Sequence, residues 1–185
     1  MPLEHPILLH VCCAPCSTAC VERLQDLGYA VVLFFSNSNI HPRGEFNTRL
    51  AEAEKIAAIK RLDLIVDDYD HTSWLDCISG LENEPERGMR CLKCFEYNLK
   101  RASMMAGKLR IQSFTTTLTV SRHKSSRDIF AIGSTFKGFL ALDFKKQDGY
   151  ARSITLSRQL NLYRQGYCGC EFSRQSAHQS KYPEQ

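Results

Sequence analysis

Pro6-Ile-Leu-Leu-His-Val-Cys-Cys-Ala-Pro-Cys-Ser-Thr18 is the stretch that decides the fold. Pro6 to Val11 is a short apolar run and reads as a buried strand. It passes directly into Cys12, Cys13 and Cys16. Pro15 suits a first helical turn, where its missing N–H costs nothing, and Gly28 is placed to end that helix. Outward from there, Ala30 to Phe35 is a second apolar strand, and Ser36 to Arg43 is a polar loop holding Asn37, Asn39, His41 and Pro42. Phe46, Leu50, Ala53, Ile56 and Ala57 recur at helical spacing. Leu62 to Val66 reads as a third strand, closed by the acidic run Asp67-Asp68-Tyr69-Asp70. A polar loop over 79–90 precedes a helix from Cys91 to Lys108. Ile111 to Thr117 is a fourth strand, Lys124 to Phe136 a helix, Phe139 to Phe144 a fifth strand and Tyr150 to Leu160 a last helix. This alternation predicts an α/β fold, a mainly parallel sheet flanked by helices. Ligands of such sheets collect at the carboxyl ends of the strands, where the cysteine turn and the polar loop both lie.

At 185 residues, with no repeat and no Pro/Gly/Ser-rich linker, the chain reads as one domain over 1–175 with a flexible tail at 176–185. No apolar run reaches the roughly 18 residues needed to span a bilayer. Met1 to His10 carries Glu4 and enters a strand directly, which is unlike a signal peptide and predicts a cytoplasmic protein with no membrane partner. The nine cysteines are odd in number and grouped: Cys12, Cys13, Cys16 and Cys20, then Cys91 and Cys94, then Cys168 and Cys170, with Cys77 alone. In a reducing compartment such groups read as metal or redox sites rather than structural bridges. The net charge of +4 divides unevenly, as −5 over residues 1–100 and +9 over 101–185. A basic half suits a polyanion such as RNA; an ordinary solvated surface explains the charge equally well.

Vicinal Cys12 and Cys13 cannot readily close an eight-membered disulfide ring, but from a turn they can face a common metal. The helix that follows lowers thiol pKa values with its N-terminal N–H groups. A single buried cysteine would be packing; four within nine residues are not. Cys91-Leu-Lys-Cys94 has chelating spacing, and a thioredoxin-type redox pair is its competitor, although no strand precedes it. Tyr167-Cys-Gly-Cys170 is a tight bite that suits a strained, labile disulfide or two further metal ligands. Cys20 and Cys77, the latter beside Trp74, read as core. Spacing does not separate zinc from an iron–sulfur cluster. Thr115-Thr-Thr117 with Ser121-Arg-His-Lys124 is either a phosphate-binding arrangement or a helix cap with solvated cations. Arg152, Arg158 and Arg164, with Tyr150, Tyr163 and Tyr167, mix cations and aromatics as RNA-binding faces do.

The motifs together resemble the QueH family, the cobalamin-independent epoxyqueuosine reductases. The resemblance rests on His10-Val-Cys-Cys-Ala-Pro-Cys16, Asn39-Ile-His-Pro42 with Glu45 and Arg49, and Arg90-Cys-Leu-Lys-Cys94. It extends to Thr116-Thr-Leu118 with Ser121 and Lys124, Asp143-Phe-Lys-Lys146, and Tyr163-Arg-Gln-Gly-Tyr-Cys-Gly-Cys170. It implies a fold like the PP-loop nucleotide-binding (HUP-like) proteins, although no ATP-binding Ser-Gly-Gly loop is present. It also implies reduction of an epoxide to an alkene on the modified wobble base of tRNA, the last step of queuosine synthesis. A 4Fe–4S cluster on Cys12, Cys13, Cys91 and Cys94 is implied, with a redox-active pair at Cys168 and Cys170. A second, mononuclear iron near the cluster would involve Cys16 or Cys170. His41, Glu45 and Asp143 are candidate proton sources, and Asn39, Glu45, Thr116, Ser121, Lys124 and Arg164 candidate substrate contacts. The partners implied are a tRNA anticodon arm and an electron donor whose identity is open. Phe35-Ser36-Asn37-Ser38 and Arg122 depart from the family pattern and bear on substrate contacts only. Two alternatives stand beside this reading: a zinc-stabilised RNA-binding module and a thiol–disulfide oxidoreductase.

Overall fold

A computed structural model of the chain describes residues 5–174; the expected tail at 176–185 lies outside the described residues. The elements are β1 (His5–His10), α1 (Ala14–Asp26), β2 (Tyr29–Phe35), α2 (Arg43–Lys60), β3 (Leu64–Val66), α3 (His71–Cys77), α4 (Met89–Lys108), β4 (Ser113–Thr116), α5 (Ser126–Gly133) and α6 (Gly149–Gln159). The four strands form one parallel sheet in the order β3-β2-β1-β4. β1 is central, with Leu9 in register with Leu33 on one side and Thr115 on the other.

Both faces of this sheet are covered, which is why β1 and β2 read as unbroken apolar runs. Ile7, Leu9, Leu33 and Phe35 share one core with Val21 and Leu24 of α1 and Phe46 and Ala53 of α2. Leu8, Phe34 and Phe114 share the opposite core with Leu99 and Ala102 of α4 and Ile129 of α5. Each fully buried Leu, Ile or Phe contributes on the order of 1.5–3 kcal/mol relative to exposure. α6 returns to lie against α1, which brings the chain after Gln159 back over the carboxyl ends of the strands.

Four expectations change. The acidic run after β3 introduces a short helix: the Asp70 side chain accepts the Ser73 N–H at 3.0 Å, and Trp74 is buried on the inner side. Phe139 to Phe144 is not a strand, since only Phe114 and Phe139 form a bridge. Beyond it, the carbonyls of Leu140 and Leu142 accept the hydroxyls of Thr115 and Thr119, so side chains occupy acceptors that a ladder would need. The helix expected from Lys124 starts at Ser126, capped by Ser125, whose Oγ accepts the Asp128 N–H at 3.2 Å. Cys20 is core as expected, whereas Cys77 is exposed because it ends α3 on its outer side. Among the described residues no helix is long and apolar enough to cross a membrane.

Candidate functional site

β1 ends in His10, which is fully buried and joins the carboxyl ends of three strands. Its Nε2 donates to the Ser36 carbonyl at 3.0 Å, leaving Nδ1 to accept the Thr116 hydroxyl at 2.9 Å. Burial holds its pKa below the ordinary value. The chain then turns. The Cys12 N–H donates to Thr117 Oγ1 at 3.0 Å, and that hydroxyl donates in turn to Cys12 Sγ at 3.2 Å. Cys13 is the extended residue that precedes α1, and Pro15 lies in the first helical turn as its sequence position suggested.

The sulfurs of Cys12, Cys13 and Cys16 all lie within 4.8 Å of one another, with Cys12 and Cys13 4.0 Å apart. Three thiols so close do not ionise alike. S–H donation from Cys12 and then Cys16 holds Cys13 well below the ordinary thiol value. The same partners, Cys12 first and then Cys13, push Cys16 well above it. Within the trio, Cys13 is therefore the sulfur that gives up its proton first, with its neighbours donating to it.

These three line a cavity of about 550 Å³ together with Cys94 of α4 and Cys168 of the segment after α6. Burial, and then the charges of Cys168 and Cys170, push the Cys94 thiol well up. Lys124 enters the same cavity. Burial works against its ammonium, but negative charge on Cys168, Cys12 and Cys16 outweighs that and raises its pKa. A lysine cation among sulfurs offsets the charge that bound metal and thiolates would bring.

Of the other residues singled out in the sequence, Asn39, Ser121 and Arg164 also border the cavity. Glu45, Thr116, His41 and Asp143 do not. Glu45 accepts from Arg49 Nε at 2.7 Å and from the Tyr163 hydroxyl at 3.0 Å, and Thr116 is committed to His10. Asp143 sits beside Lys145, and its carbonyl accepts from Arg23. Cys91 packs against the α4 side of the sheet, and its sulfur accepts the Arg87 N–H at 3.2 Å. The hydroxyls of Thr115, Thr116 and Thr117 are all hydrogen-bonded inside the protein.

The disulfide expected between Cys168 and Cys170 is not formed; all nine cysteines are free thiols. Gly169 between them has φ +147, in the region that favours glycine, and the two sulfurs have different surroundings. Cys168 faces the cavity, while Cys170 is buried with Trp74 and Ile78 and donates to Ser173 Oγ at 3.5 Å.

In the sequence Arg49 stands only as one residue of the motif that carries the family resemblance, with no role attached. It is 2% exposed and donates to the carbonyls of Cys168 at 2.9 Å and Tyr167 at 3.3 Å, with its guanidinium over the Tyr167 ring. Arg49 thus sets the position of the Cys168 segment. Asn98, one turn beyond Cys94, donates to Asn39 Oδ1 at 3.2 Å, and its own Oδ1 has no partner among the described residues. Arg90 performs a similar task on the far side, donating to the Glu82 and Glu84 carbonyls with its guanidinium over Phe172.

Soft thiol donors, a nearby cation and hydroxyl support around Cys12 make a donor set that fits iron–sulfur or other thiophilic metal binding. The solved structure of the U34-tRNA thiolase NcsA from Methanococcus maripaludis with its [4Fe-4S] cluster superposes with a TM-score of 0.54 over 98% of this chain and 68% of that one. At 10% identity this is a likeness of fold alone, that of a parallel α/β sheet flanked by helices. Curated epoxyqueuosine reductases QueH from Streptococcus pyogenes and Acinetobacter baylyi are each 36% identical to it. Each alignment covers 90% of this chain, with 69% and 79% of the respective relatives. The Thermotoga maritima protein of that name is 32% identical, over 90% of this chain and 89% of its own length. A family model described as "Epoxyqueuosine reductase QueH" matches residues 7–176. With its cysteine-lined cavity at the end of a parallel sheet, the chain belongs to the QueH family.

Proposed function

We propose that this chain reduces epoxyqueuosine in tRNA to queuosine. The observation that carries the reading is the convergence of cysteines from three separate segments, Cys12–Cys16, Cys94 and Cys168, on one cavity in a chain of this family. In the reaction both carbon–oxygen bonds of the epoxide break and an alkene forms. Two electrons and two protons enter, and the oxygen leaves as water. Cys12, Cys13, Cys91 and Cys94 are the proposed holders of a 4Fe–4S cluster, whose chemistry is the supply of single electrons from an external donor. Cys16, within reach of Cys12 and Cys13, is the thiol available to a second, mononuclear iron.

The chain's own residues orient and stabilise. Asn39, steadied by Asn98, offers an amide to the substrate's polar ring, and Lys124 Nζ meets the negative charge that grows on the departing oxygen. Cys168 stands beside that cation; it and Cys170 would release two electrons and two protons together by closing a disulfide, which electrons from the external donor would reopen. Arg49 fixes the carbonyls that flank it. Arg164 on the cavity rim, and Arg122 stacked 4.3 Å over Tyr150, suit the phosphates and bases of an anticodon arm. The target base must leave its stack to reach so enclosed a site.

Incubating the anaerobic, iron-loaded chain with epoxyqueuosine-containing tRNA and a strong reductant should yield tRNA digests in which queuosine replaces epoxyqueuosine. Digests unchanged while an established family member converts the same tRNA would refute the assignment.

A further inference from the structure

The structure assigns a second cluster of donor groups that neither the reaction nor the thiol cavity uses: His41, His71 and Glu171. We infer that these three bind a divalent first-row transition ion, with zinc the natural occupant for two imidazoles and one carboxylate.

One ligand atom from each residue lies within 4.8 Å of the others, and none of the three borders the thiol cavity. His71 Nδ1 is 2.7 Å from the Ser38 carbonyl, which can only accept, so Nδ1 carries the hydrogen. Its other nitrogen, Nε2, is 3.0 Å from Glu171 Oε1. In a neutral ring two lone pairs would then face each other, and a cation must lie between them. A proton would satisfy that pair alone. It would leave Glu171 Oε2, which is shielded from solvent, without a partner among the described residues. It would also leave the His41 ring with no hydrogen bond among them, although that ring stacks on His71 at 5.0 Å between centroids. One metal ion answers all three.

The spacing agrees. Ligands about 2.0–2.2 Å from one tetrahedral ion sit about 3.3–3.6 Å apart, so around an ion the 3.0 Å nitrogen–oxygen pair need open only slightly and the 4.8 Å spread of the three atoms close. An imidazole tied through its second nitrogen to a backbone carbonyl is the usual support of a metal-bound histidine. All three side chains are partly exposed, so an ion can enter and water can complete its coordination.

Such an ion would sit against the thiol segment. The His41 N–H donates to the Gly169 carbonyl at 2.9 Å, the Tyr167 hydroxyl donates to the His41 carbonyl at 2.7 Å, and Glu171 directly follows Cys170. The site joins the loop after β2, the start of α3 and the turn after Cys170. Its role is a clasp that holds the Cys168 segment from outside the cavity, and it stands whether or not the chain reduces epoxyqueuosine.

Cobalt(II) is the probe. Anaerobic protein is first loaded with iron and sulfide, both are measured, and cobalt is then titrated in. Wild type should bind one further equivalent, with weak visible bands and no sulfur-to-cobalt charge transfer. Glu171→Gln and His71→Ala should bind it at least about 100-fold more weakly at unchanged iron and sulfide content. No extra cobalt in wild type, equal binding in a variant that keeps its iron, or cobalt carrying sulfur charge-transfer bands would each overturn the site. Should one variant fold poorly, the other decides. Because iron content is recorded in the same sample, loss of the clasp and loss of the cluster are separate results.

Discussion

Cys168→Ser is expected to lower turnover of epoxyqueuosine-containing tRNA by at least about 10³-fold, the scale seen when a group acting directly in the chemistry is removed. Iron and sulfide content should stay near wild type. The expectation follows from where the sulfur lies. Cys168 borders the cavity beside Lys124, whereas Cys12, Cys13, Cys91 and Cys94 are the proposed holders of the cluster. The substitution exchanges one small polar atom for another, so the carbonyl held by Arg49 need not move. Serine cannot be oxidised and reduced as a thiol is. Anaerobic single-turnover assays beside iron analysis separate the two effects. Normal turnover would remove this thiol from the chemistry, and lost iron would make it a ligand instead.

Lys124→Met should reduce turnover by about 10² to 10³-fold, the range for removing one group aimed at a developing oxyanion. Methionine keeps much of the length and packing but not the charge. The ammonium is retained in spite of burial because thiol sulfurs of Cys168, Cys12 and Cys16 surround it. Lys124→Arg should recover part of the rate, since it restores charge at slightly altered reach. A purely structural lysine predicts a different result, in which methionine and arginine variants lose stability together and the rate per folded, iron-loaded molecule does not change. Thermal melts with rates normalised to iron distinguish these outcomes.

Much of the fold could be read from the chain because its signals are local. A strand buried on both faces is predominantly apolar, and Ile7 to Leu9 and Ala30 to Phe35 are. Helix α3 escaped notice because its acidic approach resembles a loop; its cue was Asp70 three residues before Ser73, a capping arrangement. The run Phe139 to Phe144 has strand-like residues but pairs with β4 only at Phe139, with threonine hydroxyls bonded to its carbonyls beyond, and sequence periodicity carries no record of partners. The same limit governs the site. Cys12, Cys13 and Cys16 announce themselves by proximity in sequence, but Lys124 read either as a phosphate contact or as a solvated cation, and its place among sulfurs needed the fold. Cys168 and Cys170 look like a natural pair at one-residue separation, yet Gly169 lets their side chains enter different surroundings. Arg49 and His41 stood in sequence motifs, but the hold of Arg49 on the Cys168 segment and the meeting of His41 with His71 and Glu171 depend wholly on tertiary contact.

The account depends on cysteines of distant segments gathering around iron. Chain purified and reconstituted without oxygen should be brown, with about four irons and four labile sulfides per molecule, and Cys13→Ala should lose most of both. Colourless protein that holds one tightly bound zinc and no labile sulfide after the same reconstitution would contradict it.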